Sequence, residues 1–130
     1  MFRIDSRDTG FLPPAVYAPS KVGETYTLGE ALVLSGGALT KCGATEKPQY
    51  IAEQAYVAPA TDPRLLRVHK VHDFYIYETT MADNSGTVVV GDLVTLHTDA
   101  AQLTATKTGG VATIIAKESD LAGAKVLVRL

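Results

Sequence analysis

From Lys21 onward, apolar and polar positions alternate in short runs, the period-two signature of half-buried strands. Tyr26 and Leu28 alternate with Thr25 and Thr27, Gly29-Glu30 turns the chain, and Ala31-Leu32-Val33-Leu34 follows as an apolar run. Ser35-Gly36-Gly37-Ala38 predicts a tight hairpin connection into Leu39-Thr40-Lys41-Cys42, because paired glycines supply the positive φ that such turns need. Pro48 breaks the chain before residues 50–57, which read as a strand crossing the core or, given their alanines, as a short helix. Residues 58–63 form the midpoint loop, with two prolines and an Asp-Pro step. The strongest strand signal covers residues 65–80, where Val68, Val71, Phe74, Tyr75, Ile76, Tyr77 and Thr79 suit a pleated surface, with room for two shorter strands. Residues 81–86 are a polar turn, and Thr87-Val88-Val89-Val90 leads into a second β region. In the closing strand Val126 and Val128 alternate with Leu127 and Arg129. Residues 118–123 are long enough for one helical turn stopped by Gly123, and no amphipathic helix of ~10 residues is expected anywhere.

The pattern is stated twice. Gly29-Glu30-Ala31-Leu32-Val33-Leu34, Leu39-Thr40 and Ile51-Ala52-Glu53 return as Gly91-Asp92-Leu93-Val94-Thr95-Leu96, Leu103-Thr104 and Ile115-Ala116-Lys117. The offset lengthens by two residues after the first apolar run, as a longer hairpin loop would make it do. These two copies, residues 29–53 and 91–117, predict an all-β fold. The expected form is a small β-barrel or sandwich built from two repeated hairpin units, with little helix, in one domain over residues 23–130. Residues 1–22 read differently. Pro13-Pro14 and Pro19 deny ladder hydrogen bonds while Phe2, Ile4, Phe11, Leu12, Val16 and Tyr17 stay apolar, predicting an extended N-terminal arm whose side chains need cover from the domain or from a partner.

Composition narrows the function classes. A chain of 130 residues fits one domain with a self-sufficient core, and a net charge of −2 with 20% charged residues lacks the basic footprint of a nucleic-acid binder. No apolar run approaches ~18 residues, and residues 1–8 lack the apolar stretch of a signal peptide, so a soluble protein made in a cytoplasm, with no membrane partner, is expected. The single Cys42 cannot form an internal disulfide; it aligns with Thr106 in the second copy and reads as a small structural side chain.

Candidate chemistry is sparse. His69, His72 and Asp73 are metal-ligand types, but residues three apart on a strand point to opposite faces and cannot share an ion unless the segment bulges. His97 with Asp99 and Ser85 has the residue types of a hydrolytic triad without a nucleophile elbow. Gly36-Gly37 and Gly109-Gly110 lack the Lys-Ser/Thr and the helix of a phosphate loop, and read as hairpin turns. Glu24, Glu30, Asp92 and Asp99 could in principle pair as a glycosidase acid and base, yet lie near turns, where carboxylates bond back to loop amides; the chain has no Trp for a sugar platform. The expectation is therefore no catalytic residue, no metal and no cofactor. The enzyme alternative is a small β-barrel hydrolase using His69, His72, Asp73 or His97.

The stretch Gly23-Glu24-Thr25-Tyr26-Thr27-Leu28-Gly29-Glu30-Ala31-Leu32-Val33-Leu34 to Leu39-Thr40-Lys41-Cys42-Gly43-Ala44 resembles the small capsid-decoration, or cement, proteins of tailed bacteriophages. Val90-Gly91-Asp92-Leu93-Val94-Thr95-Leu96-His97-Thr98-Asp99 looks like their second hairpin. The resemblance covers residue 23 to about 130 and implies a helix-poor protomer, often a trimer, that binds the outside of an expanded shell and clamps neighbouring copies of the major capsid protein. On that reading Phe2, Ile4, Phe11, Leu12, Val16 and Tyr17 carry the contact. Deleting residues 1–19 should then leave a folded domain that no longer stays on capsids. The alternative from another class is a tail-associated or host-surface-binding β-module using the loop at residues 83–86.

Overall fold

A computed structural model of the chain describes residues 1–7 and 13–130. Twelve strands run in order: β1 (Arg3–Arg7), β2 (Val16–Pro19), β3 (Thr25–Tyr26), β4 (Ala31–Ser35), β5 (Ala38–Lys41), β6 (Tyr50–Ala52), β7 (Tyr56–Val57), β8 (Leu65–Lys70), β9 (Tyr75–Thr80), β10 (Leu93–Val94), β11 (Ala112–Lys117) and β12 (Lys125–Arg129). There is no helix among the described residues. The strands pair antiparallel into a first sheet ordered β1-β9-β12-β11-β10, a second ordered β2-β8-β6-β4-β5, and a two-stranded ribbon β3-β7. Among the described residues no sheet closes into a barrel: the edges of the second sheet meet there only at a bridge between Ser20 and Leu39.

The apolar runs follow from which faces are covered. Along β4, Ala31 and Val33 join one buried cluster while Leu32 joins another, and Ile51 and Ala52 divide in the same way. Successive strand residues point to opposite faces, so this part of the second sheet is buried on both and needs apolar residues without alternation. The larger cluster unites these side chains with Tyr75, Tyr77, Val126 and Val128 of the first sheet. The smaller one gathers Leu32, Leu39, Leu66 and Val68 under Tyr26 of the ribbon. In β9 and β12, by contrast, buried Tyr75, Tyr77, Thr79, Val126 and Val128 alternate with half-buried neighbours, as the sequence pattern predicts.

The β4–β5 hairpin forms as expected, with Leu34 opposite Leu39 and both Gly36 (φ 59°) and Gly37 (φ 83°) in the left-handed region. One expectation needs correction. Residues 50–57 are two short strands, β6 and β7, in different sheets, because the chain bends between them. The strong β segment at 65–80 forms the two shorter strands it had room for: β8 lies in the second sheet and β9 in the first, with a turn at residues 71–74 carrying the chain across. Thr87-Val88-Val89-Val90 is a turn; only Val88 is buried, and Val89 and Val90 face solvent.

In the N-terminal segment, the described residues 1–7 and 13–22 take the first of the two covers expected for them, that of the domain. β1 forms the edge of the first sheet on β9, and β2 forms the edge of the second on β8. The amide of Phe2 donates to the Gly29 carbonyl at 2.9 Å, and its ring lies in the larger cluster, edge-on to Tyr77 at 6.4 Å. An aromatic ring buried in its own domain cannot also serve a partner without unfolding. Deleting residues 1–19 would therefore strip an edge strand from each sheet and a ring from the core.

Candidate functional site

Strand alternation aims Leu66 and Val68 into the smaller cluster, so Arg67 and His69 point to the opposite face of β8. Glu53 follows β6, and its amide donates to the Arg67 carbonyl at 3.0 Å, which fixes its carboxylate beside both side chains. Arg67 Nε donates to Glu53 Oε2 at 3.1 Å, and His69 Nδ1 lies 3.1 Å from Glu53 Oε1. On its other side His69 Nε2 is 3.1 Å from Tyr77 Oη, with the two rings stacked at 5.8 Å and 7°. An ionised carboxylate only accepts, so Nδ1 carries the proton and Nε2 accepts from the tyrosine hydroxyl. The chain Arg67–Glu53–His69–Tyr77 thus runs from the surface to the core and ties the second sheet to the first.

Its electrostatics suit a fixed link. Burial pushes the Tyr77 hydroxyl well above the ordinary tyrosine range, with neighbouring Tyr75 adding to the effect, so this hydroxyl stays a donor and is no nucleophile. Burial lowers the pKa of His69, against the opposing pull of Glu53. A base whose pKa is lowered by folding binds its proton more readily when unfolded, so stability rises with pH and is lost as pH falls below the ordinary histidine value of about 6.5. His69→Gln should remove this component. Urea denaturation of both proteins between pH 8 and pH 5 is expected to show the wild type losing more stability than the variant on acidification; parallel curves would refute the assignment.

Beside this chain lies an open cleft of about 510 Å³. Phe2, Ile4, Leu28 and Ile51 form its apolar walls, and Arg3, Arg67, Glu53 and His69 supply its polar edge. Arg3 is held on Glu78 by two hydrogen bonds, at 3.1 and 2.5 Å, across β1 and β9.

Apart from His69, the residues singled out in the sequence fall elsewhere or into turns. His72 leaves β8 and stacks on Phe74 at 4.8 Å, and among the described residues no three His, Cys, Asp or Glu side chains gather around a common point. His97 contacts Asp99 at 3.3 Å, whereas the Ser85 amide bonds to the Asp120 carbonyl and its own carbonyl accepts from Lys117. Burial would raise the Asp99 pKa, but the amides of Ala101 and Gln102, with His97, outweigh it and hold the carboxyl below its usual range. Lys107, with the Val89 amide, does the same for Asp92. Glu30 is buried, accepting from the Thr27 amide and hydroxyl and facing Lys41 Nζ at 3.5 Å. Cys42 is buried too; desolvation pushes its thiol up to about 12, and Sγ donates to the Glu46 carbonyl, leaving little thiolate at neutral pH.

Gly29-Glu30 and Gly91-Asp92 make the same bonds. The Glu30 amide donates to Thr27 O at 3.2 Å and the Asp92 amide to Val89 O at 3.1 Å; each carboxylate accepts from the amide that starts its turn, Thr27 N at 2.8 Å and Val89 N at 3.0 Å. Gly29 N donates to Ala52 O and Gly91 N to Ile114 O, both at 2.8 Å. These bonds set Ala52 against Ile114, so the match of Ile51-Ala52-Glu53 to Ile115-Ala116-Lys117 drawn from the sequence is out of step.

Comparison with models of protein families, with curated proteins and with solved structures finds no match. The site is therefore read from its own geometry. Of the six residues expected at a partner contact, Phe2 is core, Ile4 and Val16 are half-buried against the two clusters, and Tyr17 stands exposed at 59%. Phe11 and Leu12 lie outside the described residues. Tyr17 has company that the sequence did not reveal. It sits opposite Arg67, and Pro19 sits opposite Leu65, so the exposed side chains of Tyr17, Pro19, Leu65 and Arg67 share one face of the β2–β8 pair.

Proposed function

We propose that the chain is a structural protein of a virion, a decoration protein that binds the outer surface of a phage capsid and clamps neighbouring subunits of the expanded shell. The observation that carries this reading is the shared bonding of the two Gly-acid turns. The residues that resemble phage decoration proteins are those that set Gly29-Glu30 and Gly91-Asp92 into the same turn, each closed by its own carboxylate. On this reading the domain is built from two hairpin units and works by its surfaces. Of the acidic groups that could have served as catalysts, Glu30, Asp92 and Asp99 hold loops in shape. A clamp needs no turnover: many weak copies acting together stabilise the lattice that binds them.

The contact face belongs to β2 and β8. Tyr17 and Leu65, at 59% and 55% exposure, flank Arg67, and Tyr17 lies on the edge strand β2, whose outer backbone groups can extend into a neighbour's sheet. Aromatic and arginine side chains dominate protein contacts because they bury much surface at modest entropic cost. Mixing the purified chain with expanded heads and sedimenting them should give saturable, symmetric stoichiometry. Tyr17→Ser with Leu65→Ser should weaken capsid binding at least tenfold while changing stability by under about 0.5 kcal/mol. Failure of the wild type to co-sediment would overturn the reading, and affinity for a host cell surface in its place would point to a tail-associated module.

A further inference from the structure

We propose that the cleft between the N-terminal strand and the second sheet binds an alkyl carboxylate, its chain along the apolar walls and its head on Arg67. Three separate features meet there. The walls are apolar and come from elements distant in sequence: half-buried Ile4 from the N-terminal segment and exposed Leu28 from the first turn stand above a floor of buried Phe2 and Ile51. Leu28 is an exposed apolar residue at the tip of a tight turn, at 52%, where solvation alone would favour a polar side chain. A volume of about 510 Å³ lies within the range of small-molecule sites.

The second feature is charge. The lining carries Arg3 and Arg67; Glu78 holds Arg3, while Arg67 shares the Glu53 carboxylate with His69 and so presents the cationic edge of the cleft. Glu53 takes only Nε of Arg67, and the guanidinium side chain is 51% exposed, so its amino groups are directed by that bond without being consumed by it. A guanidinium edge matches a carboxylate in two-point geometry, and selects an anionic head over a neutral one.

The third feature is rigidity. Glu53 is gripped by its backbone bond to Arg67 and by buried His69, which is itself fixed to Tyr77. Gly29 lines the same cleft at φ 76°, and a Cβ there would lie 2.9 Å from the Phe2 carbonyl, so this wall is built by direct backbone contact. A head-group site assembled beforehand loses little entropy when the ligand arrives.

Titrating the full ¹⁵N-labelled chain with sodium octanoate tests this directly. Saturable shifts are expected at the amides of Phe2, Leu28, Ala52 and Arg67 and at Arg67 Nε. Octanol, with the same chain and a neutral head, should bind at least tenfold more weakly. Arg67→Gln should lose about tenfold in octanoate affinity, Arg67→Lys less, and Leu28→Asp nearly all of it, each with the remaining spectrum unchanged. Non-saturable shifts, equal binding of octanol, or full affinity in Arg67→Gln would each overturn the proposal. None of these readouts involves a capsid, so they stand apart from the decoration reading.

Discussion

Phe2→Ala is expected to lower the unfolding free energy by about 3–5 kcal/mol, the range for removing a buried aromatic ring. Phe2 is 2% exposed, lies edge-on to fully buried Tyr77, and shares a cluster with Tyr75, Val126 and Ile51. The loss has two parts, the transfer free energy of the ring and the cavity left among neighbours fixed in two different sheets, which cannot easily collapse onto it. Against a total stability of ~5–15 kcal/mol for a domain of this kind, the variant should be visibly destabilised in urea at room temperature. Tyr17→Ala is the matched control: an aromatic residue in the same N-terminal region, but exposed, expected to change stability by under about 0.5 kcal/mol. A Phe2 variant as stable as the Tyr17 variant would mean that the first strand is a detachable arm after all.

That contrast also marks how far sequence reasoning reaches here. Both residues are aromatic and lie in the N-terminal segment, and nothing in the local pattern separates the one that fills the core from the one that faces water. The difference is set by partners far away in the chain: β1 is ordered by β9 and β2 by β8, and pairings across such separations leave no local period to read. Where the determinant is local, the reading holds. The glycine pair at Gly36-Gly37 specifies its hairpin, the two Gly-acid dipeptides specify their turns, and the alternation in β12 specifies its buried face. Propensity alone is a weaker guide: the valine run Val88-Val89-Val90 suits a strand, yet Val89 and Val90 lie in the turn closed by Asp92, since tertiary context overrides propensity.

The candidate site shows the same division. His69 was visible as a histidine in a strand, and its separation from His72 by alternation was readable from spacing. Its role was not, because it depends on the chain leaving one sheet after Lys70 and entering the other at Tyr75. That crossing lets residues eight apart, His69 and Tyr77, stack face to face. Glu53 was equally hidden, since it comes within reach only through the β6–β8 pairing of Ala52 with Val68. A buried histidine bonded on both sides needs a donor and an acceptor at fixed positions. A search for Glu, His and Tyr on adjoining predicted strands would have found the residue types, though not the register.

Gly110→Ala should destabilise the domain by about 3 kcal/mol or more, an overpacking penalty at the upper end of the usual range. A methyl group at Gly110 would sit 2.5 Å from the Leu93 carbonyl carbon, 2.6 Å from its oxygen and 2.7 Å from the Val94 amide nitrogen. All three are backbone atoms of β10, which pairs with β11 just beyond, so no side-chain rotation relieves the contact. Gly109, at φ 74° in a turn closed by the Gly110 amide on the Lys107 carbonyl, meets the expectation of a tight turn, but Gly110 answers a different need from Gly36 and Gly37. Gly36 and Gly37 have open space around them and are required for positive φ alone, so alanine at either costs only about 1–2 kcal/mol of backbone strain. Gly110 has no positive φ; it is required because two backbones cross there. Urea denaturation of Gly36→Ala and Gly110→Ala side by side separates the two demands. The β10–β11 crossing predicts the larger loss at Gly110, with amide exchange near Leu93 and Val94 speeding up in that variant alone. Equal losses, or unchanged exchange at those amides, would show that β10 can shift aside. The second Gly-acid turn would then be held less firmly than the first.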